Sequence, residues 1–173
     1  MKRWPKFTVI ILLAFTSLSC LSDRSNFYYE AMEDIKSKNI DFAFIKLNSY
    51  LRENPDSPNA PQIKFAIIEY YFQTNNYSAA IDELTKYING YPAENNTVFA
   101  QTLLYKILSE NKEDSPLLEK LKEAFFSKSI FLTFSDSKIK SYTSIFGNKY
   151  KVVDYVDRIE VFKNKELLFE IKP

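Results

Sequence analysis

The stretch NIDFAFIKLNSYLRENP at residues 39–55 returns as NYSAAIDELTKYINGYP at residues 76–92. Equivalent positions carry the same side chain at a constant offset of 37 residues: Ala43 and Ala80, Leu47 and Leu84, Tyr50 and Tyr87, Pro55 and Pro92. An offset that holds across a turn, a helix and a stop signal indicates an internal repeat. Because apolar residues recur every three or four positions, each copy is predicted to be helical.

Each copy is preceded by a second helical pattern, so the unit is a helical hairpin. Phe27, Ala31 and Ile35 recur at steps of four, and a longer apolar pattern runs over residues 60–74. We expect Asp41 and Ser78 to cap the second helices. Gly90 suits a left-handed residue at the end of the second copy. The alanines allow the paired helices to approach closely.

A third helical pair follows, and the pattern then changes. Residues 98–110 and 116–126 predict two more helices, which form either a degenerate third repeat or a capping pair. Beyond Phe126, residues 129–134, 139–146 and 150–156 are rich in β-branched and aromatic side chains. The sequence therefore predicts a mainly α fold, a helical-hairpin array followed by a small antiparallel sheet of three or four strands.

The last two strands are expected to form a hairpin over residues 158–171 about Asn164 and Lys165. The hairpin register is expected to pair residues across the turn: Lys163 with Glu166, Phe162 with Leu167, and Val161 with Leu168. One charge pair and two apolar pairs would stabilise this register. An isolated hairpin is only marginally stable, so the sheet is expected to pack on the last helices.

The N-terminus has the order of a secretory signal. An apolar run over residues 7–18 follows three basic residues, Lys2, Arg3 and Lys6. The only cysteine, Cys20, comes just after this run. A charged start, a short apolar middle and small residues at the break are typical of a signal peptide. The run is shorter than the ~20 apolar residues that a membrane-spanning helix needs.

A cysteine at the cleavage point resembles a bacterial lipoprotein signal, in which the thiol is acylated with chains such as palmitate. Ser17 stands where such signals usually carry leucine. We expect residues 1–19 to be the signal peptide, Cys20 to be lipidated and residues 20–25 to form a tether. The alternatives are an ordinary signal peptide followed by an incidental Cys20, or an uncleaved anchor. Leu21, which is not acidic, implies outer-membrane delivery by this resemblance.

Composition argues against most enzyme classes. The chain has no histidine, one cysteine and two glycines, Gly90 and Gly147. The commonest general base and a glycine-rich phosphate loop are therefore absent, and acylation of Cys20 would leave no thiolate. No stretch is basic enough to indicate nucleic-acid binding, and the formal net charge is +1. We predict a non-enzyme without a cofactor or a bound metal.

The repeat resembles tetratricopeptide repeats, and its linker narrows the resemblance. PDSPNAP at residues 55–61, NNYSAAI at residues 75–81 and YP at residues 91–92 are similar to the BamD family. That family consists of outer-membrane lipoproteins of tetratricopeptide type that serve the β-barrel assembly machinery. The resemblance covers the lipid signal and about residues 25–110. The helical patterns together predict a helical domain over residues 26–126, and the β-rich region over residues 127–173 does not belong to the resemblance.

Repeat arrays usually bind proteins through a groove built by the first helix of each pair. Six residues are predicted to line this groove: Tyr28, Met32, Ile35, Phe65, Glu69 and Phe72. The alternative is that most of them are core residues, because aromatic side chains at helical spacing usually pack inward.

Two functions follow from these predictions. The first is a lipid-anchored scaffold that binds protein partners on the periplasmic face of the outer membrane. By the resemblance, its partner is the outer-membrane β-barrel insertase complex. The second is a stand-alone envelope lipoprotein whose β tail contacts a ligand or peptidoglycan.

Overall fold

The computed structural model describes residues 26–111, 115–127, 139–155 and 157–172. These residues form six helices and a four-stranded antiparallel sheet. The helices are α1 (Asn26–Lys36), α2 (Ile40–Glu53), α3 (Ala60–Gln73), α4 (Tyr77–Gly90), α5 (Thr97–Glu110) and α6 (Pro116–Phe126). The strands are β1 (Ile139–Thr143), β2 (Lys149–Asp154), β3 (Ile159–Lys163) and β4 (Glu166–Ile171). The predicted fold class, a helical array followed by an antiparallel sheet, is confirmed.

Packing divides the chain into two compact units. The first unit ends at Ser57 and contains the α1–α2 hairpin. The second unit starts at Pro58 and contains α3 to α6 together with the whole sheet. Its core joins the helices to the inner face of the sheet, which contributes Tyr150, Val152, Ile159, Val161 and Ile171.

The two hairpin turns are copies of each other. Lys38 and Asn75, which are 37 residues apart, both have left-handed backbones, with φ of 62° and 57°. The next residue donates its backbone N–H to the carbonyl five residues earlier, from Asn39 to Asp34 and from Asn76 to Tyr71. This pairing is the Schellman arrangement that ends a helix. The predicted repeat therefore extends to the backbone conformation.

Helix packing inside each unit follows the same repeat. Ala43 and Leu47 in the first unit, and Ala80 and Leu84 in the second, are all completely buried. The tyrosines of the two copies differ. Tyr87 is buried, whereas Tyr50 is partly exposed and its hydroxyl lies 2.9 Å from Ser57 Oγ.

The predicted helix caps are wrong in detail. The chain enters the second helices at Asn39 and Asn76, one residue before the helix, so Asp41 and Ser78 lie in the first turn. The Asn76 side chain accepts a hydrogen bond from the Ala79 N–H at 3.4 Å, as an N-cap residue does. The caps lie two positions before the predicted ones, directly after the left-handed residues Lys38 and Asn75, and the Asn39 side chain makes no capping hydrogen bond.

Gly90 is not a left-handed cap. It is the last residue of α4, and the residue after it, Tyr91, has a φ of −133°. Pro92 follows, and a residue before proline is biased towards extended conformations. The helix therefore ends through the Pro92 restriction on Tyr91, without a glycine in the left-handed region.

The second helix of the third pair, α6, begins at Pro116 as predicted. Ser115 precedes α6 and its hydroxyl accepts a hydrogen bond from the Leu118 N–H at 3.2 Å. Pro116 occupies the first turn, where its missing N–H leaves no helical hydrogen bond unmade. Leu121 and Phe125 bury the inner side of α6 in the core of the second unit.

The strand order is β1-β2-β3-β4, with each strand antiparallel to its neighbour. The predicted pairs Lys163 with Glu166 and Phe162 with Leu167 are confirmed. The third pair is wrong, because an irregularity between Val161 and Phe162 shifts the register and places Val161 opposite Phe169. A bulge of this kind adds one residue to one strand. The strand predicted over residues 129–134 lies outside the described residues.

The β3–β4 turn offers a stability prediction. Asn164 and Lys165 both have positive φ, 53° and 75°, as a two-residue hairpin turn requires. Lysine pays a steric penalty in this region that glycine avoids. Lys165→Gly is expected to raise the free energy of unfolding by about 0.5–1 kcal/mol, measured by urea denaturation.

Asn164→Gly is the matched control for this turn. It relieves the same backbone but removes the Asn164 side chain, which accepts from the Lys149 N–H at 2.9 Å and donates to Asn148 Oδ1 at 2.9 Å. It is expected to lower stability by about 1 kcal/mol. A gain in stability from both variants would contradict the role given to the Asn164 side chain.

Candidate partner-binding surfaces

Glu69 is the most unusual residue of the second unit, because a carboxylate of α3 is completely buried. The Tyr150 hydroxyl donates to Glu69 Oε1 at 2.7 Å, and Asn148 Nδ2 donates to the same oxygen at 2.6 Å. Asn148 lies in the β1–β2 turn and is itself bonded to Asn164 in the β3–β4 turn. One buried carboxylate thus ties α3 to two turns of the sheet.

Burial raises the pKa of Glu69. The hydrogen bonds from Tyr150 and Asn148, the nearby polar Ser144 and the positive charge of Lys163 lower the pKa of Glu69 but do not outweigh the burial. A carboxyl with a raised pKa can serve as a general acid in an enzyme. Glu69 has no exposed surface through which a substrate could reach it, so its position favours a structural role.

An aromatic cluster surrounds this carboxylate. The ring of Phe65 lies 5.1 Å from that of Tyr142 and 5.8 Å from that of Tyr150, with both pairs edge to face. Phe99 of α5 lies 5.9 Å and 6.1 Å from the same two tyrosine rings. Edge-to-face pairs add stabilisation beyond the burial of area. The inner face of the sheet therefore covers α3 and α5, the first helices of two hairpins.

The raised pKa of Glu69 predicts a pH dependence of stability. Between the unfolded-state pKa of about 4.3 and the higher native-state value, the native state binds more protons than the unfolded state. The contribution of Glu69 to the free energy of unfolding therefore falls as pH rises through this window and is constant above it. Chemical denaturation of wild type and Glu69→Gln at each pH isolates this contribution, because the variant cannot titrate. A difference that rose with pH would contradict the assignment.

The structure separates the predicted groove residues of the second unit. Phe65 and Glu69 are completely buried under the sheet, which favours the core interpretation for these two. Phe72 is partly exposed and its ring packs against Tyr77 at 6.2 Å. The helical pattern of α3 predicted one apolar face. The sheet of the same chain covers the part of that face that contains Phe65 and Glu69.

The predicted groove residues of the first unit are Tyr28, Met32 and Ile35, and all three are partly exposed. The Tyr28 ring packs on Tyr50 at 5.4 Å. Contact of these residues with a partner stays a prediction.

The sequence prediction missed the most exposed apolar side chains of the first unit. Tyr29, Phe42 and Ile45 are 68%, 63% and 57% exposed. Phe42 and Ile45 lie three residues apart on α2 and therefore share one side of the helix. Their spacing in the sequence was visible, but it does not distinguish an exposed pair from a buried one.

The same unit contains a partly exposed charge cluster between its two helices. Lys46 of α2 lies 2.7 Å from Asp34 and 3.3 Å from Glu30 of α1. The hydrogen bond to Asp34 raises the pKa of Lys46. Two acidic residues of α1, Glu30 and Asp34, are therefore matched by one lysine of the facing helix.

The outer face of the sheet carries a concave cavity of about 450 Å³. Eight residues line it. Six are Lys149, Lys151, Lys165, Ser141, Thr143 and Phe162, and the other two are Tyr142 and Tyr150, whose rings pack against Phe65 in the core. The Lys151 ammonium lies 5.8 Å from the centre of the Phe162 ring, within cation–π range. The sequence analysis did not identify this site.

Cys20, the predicted lipidation site, lies outside the described residues. None of the six described helices is both long and apolar enough to cross a membrane. Within the described ranges, no group of three acidic, histidine or cysteine side chains could hold a metal ion.

The described fold is that of a tetratricopeptide-like helical array with a C-terminal sheet. The chain matches the YfiO family model, described as an outer membrane lipoprotein, over residues 22–138. The match covers more than half of the chain, and the protein belongs to this family of outer membrane lipoproteins. The predicted resemblance to BamD-like lipoproteins is confirmed.

The comparisons with curated proteins and with solved structures give no match. The family match ends at residue 138, and β1 begins at Ile139. The four-stranded sheet is therefore additional to the segment that the family model matches.

Proposed function

We propose that this protein is a non-catalytic, lipid-anchored scaffold that binds protein partners on the periplasmic face of the outer membrane. Its proposed role is that of a BamD-like component in the assembly of outer-membrane β-barrel proteins, with the β-barrel insertase complex as partner. Membership of the outer membrane lipoprotein family carries this proposal. The helical hairpins support it, because arrays of this kind present extended binding surfaces.

The first unit offers a surface for such a partner. Phe42 and Ile45 expose apolar area on one side of α2, and interfaces are centred on apolar anchors of this kind. The segment that would join this unit to a lipidated Cys20 is short, since α1 begins at Asn26. A lipid at Cys20 would hold the first unit close to the membrane and to complexes embedded in it.

A pulldown of the tagged full-length protein in mild detergent, followed by mass spectrometry, tests this proposal. The insertase is expected in amounts comparable to the bait. Phe42→Ser with Ile45→Ser is expected to lower its recovery at least tenfold, because two apolar anchors are removed. Arg52→Ser with Glu53→Ser, at the exposed end of the same helix, is the matched control and should retain the partner. Absence of the insertase from a folded, membrane-bound bait would contradict the proposal.

Deletion of the sheet is not a suitable test of partner binding. Residues 139–172 supply Tyr142 and Tyr150, which cover Phe65, and Asn148, which bonds Glu69. Removing them would expose the core of the second unit. Point variants on the surface therefore separate binding from folding, and a truncation does not.

Lipidation is tested separately. Incorporation of labelled palmitate is expected in the wild-type protein and should be lost in Cys20→Ala, because no other cysteine exists in the chain. Ser19→Ala, which retains the thiol, serves as the control. Label that stayed on the Cys20→Ala protein would contradict acylation at this residue.

A further inference from the structure

We propose that the cavity on the outer face of the sheet is a docking site for an acidic peptide segment of a protein partner. The site lies on strands β1, β2 and β3, outside the segment matched by the family model. The proposed peptide site does not depend on the proposed scaffold role of the helices. Either proposal can be wrong while the other is right.

Strand alternation creates the site. Successive side chains of a strand point to opposite faces, so Tyr150 and Val152 enter the core while Lys149 and Lys151 point outward. The register sets Lys151 opposite Ser141 on one neighbouring strand and opposite Phe162 on the other. A basic row with an aromatic neighbour therefore follows from the same alternation that builds the core.

The charge of the site is not neutralised by the protein. Among the described residues, no ion pair joins Lys149, Lys151 or Lys165 to a carboxylate. Glu160, which lies two residues before Phe162 on β3, is bonded by Arg158 Nε at 2.8 Å. Three ammonium groups around one cavity therefore set a positive potential that attracts an anionic ligand.

The shape of the site favours a peptide over a lipid surface. The cavity is concave, and Phe162 is only partly exposed within it. A bilayer is planar and contacts side chains that protrude, so it does not reach a recessed ring. An extended peptide can place an apolar side chain against Phe162 and carboxylates beside the lysines, with the hydroxyls of Ser141 and Thr143 as hydrogen-bond donors.

Fluorescence anisotropy on the full-length protein in nonionic detergent tests the site. The probe is a dye-labelled peptide of alternating glutamate and phenylalanine, with a lysine–phenylalanine peptide as the reverse-charge control. We expect saturable binding of the acidic probe, which weakens as salt rises. Lys149→Glu with Lys151→Glu should weaken binding at least tenfold, whereas Lys149→Arg with Lys151→Arg should retain it.

The matched control is Lys120→Glu with Lys122→Glu on α6, which makes the same change of net charge at two lysines that do not line the cavity. It should leave the affinity within about twofold. Thermal melting of each variant checks that the second unit is folded. Equal loss in both charge-reversed pairs, or no saturable binding by the wild type, would overturn the proposal.

Two competing ligands complete the test. Vesicles of phosphatidylglycerol and phosphatidylcholine, and inorganic phosphate, are offered to the same variants. Failure of both to displace the acidic probe supports a peptide site. The opposite result is that vesicles or phosphate bind in a way that depends on Lys149 and Lys151 while the peptide does not bind. That result would overturn the proposal of a peptide ligand and indicate a phosphate-bearing ligand.

Discussion

Phe65→Ala is expected to lower the free energy of unfolding of the second unit by about 3–5 kcal/mol. The Phe65 ring is completely buried and meets three aromatic rings, those of Tyr87, Tyr142 and Tyr150, at 5.1–6.2 Å. Removing it loses the transfer free energy of the ring and leaves a cavity between α3 and the sheet. The loss is a large fraction of the roughly 5–15 kcal/mol by which native domains are stable.

Calorimetry of the full-length protein measures this effect. Phe72→Ala is the matched control, because Phe72 is on the same helix and is only partly buried. It is expected to cost about 1–2 kcal/mol, since less apolar area leaves water in the native state. If Phe65→Ala instead melted like the wild type and lost a partner, Phe65 would be a groove residue and the packing described above would be wrong.

Glu69→Leu is expected to lower the free energy of unfolding by about 2–4 kcal/mol. Leucine has a similar volume but no acceptor, so the Tyr150 hydroxyl and Asn148 Nδ2 both lose the oxygen to which they donate. Each buried donor without an acceptor carries a desolvation cost. The expected loss therefore comes from the partners of Glu69 and not from a change in packing volume.

Glu69→Gln distinguishes this explanation from a requirement for charge. Glutamine retains a carbonyl oxygen for both donors and is neutral, and burial disfavours the charged carboxylate. Urea denaturation at neutral pH is expected to show Glu69→Gln more stable than Glu69→Leu, because only glutamine retains an acceptor for both donors. A glutamine variant as unstable as the leucine variant would show that the negative charge itself is needed.

The sequence was sufficient to predict the helical array. The offset between Ala43 and Ala80 held because close helix packing admits only small residues at that contact, and both are buried in their own units. The four strands were also predictable in type, since β-branched and aromatic residues dominate them. The bulge at Val161 and Phe162 was not predictable, because it depends on packing across strands and not on local composition.

The residues that cover the apolar face of α3 could not be predicted from the pattern of α3 itself. A helical period marks an apolar face but does not identify what covers it. The covering residues Asn148 and Tyr150 lie 79 and 81 positions away in a region of a different structural type. The lysine cavity did have a signal, the alternation of Lys149, Tyr150 and Lys151, but recognising it required the strand register.

The long separation between Glu69 and Tyr150 has a consequence for the order of folding. The α1–α2 hairpin is closed by local contacts and can form early, whereas the core around Glu69 needs residues 81 positions later. A chain synthesised from its N-terminus cannot complete this core until β2 has been added. Until then the buried rings of Phe65 and Phe99 lack the tyrosine rings of the sheet that pack against them.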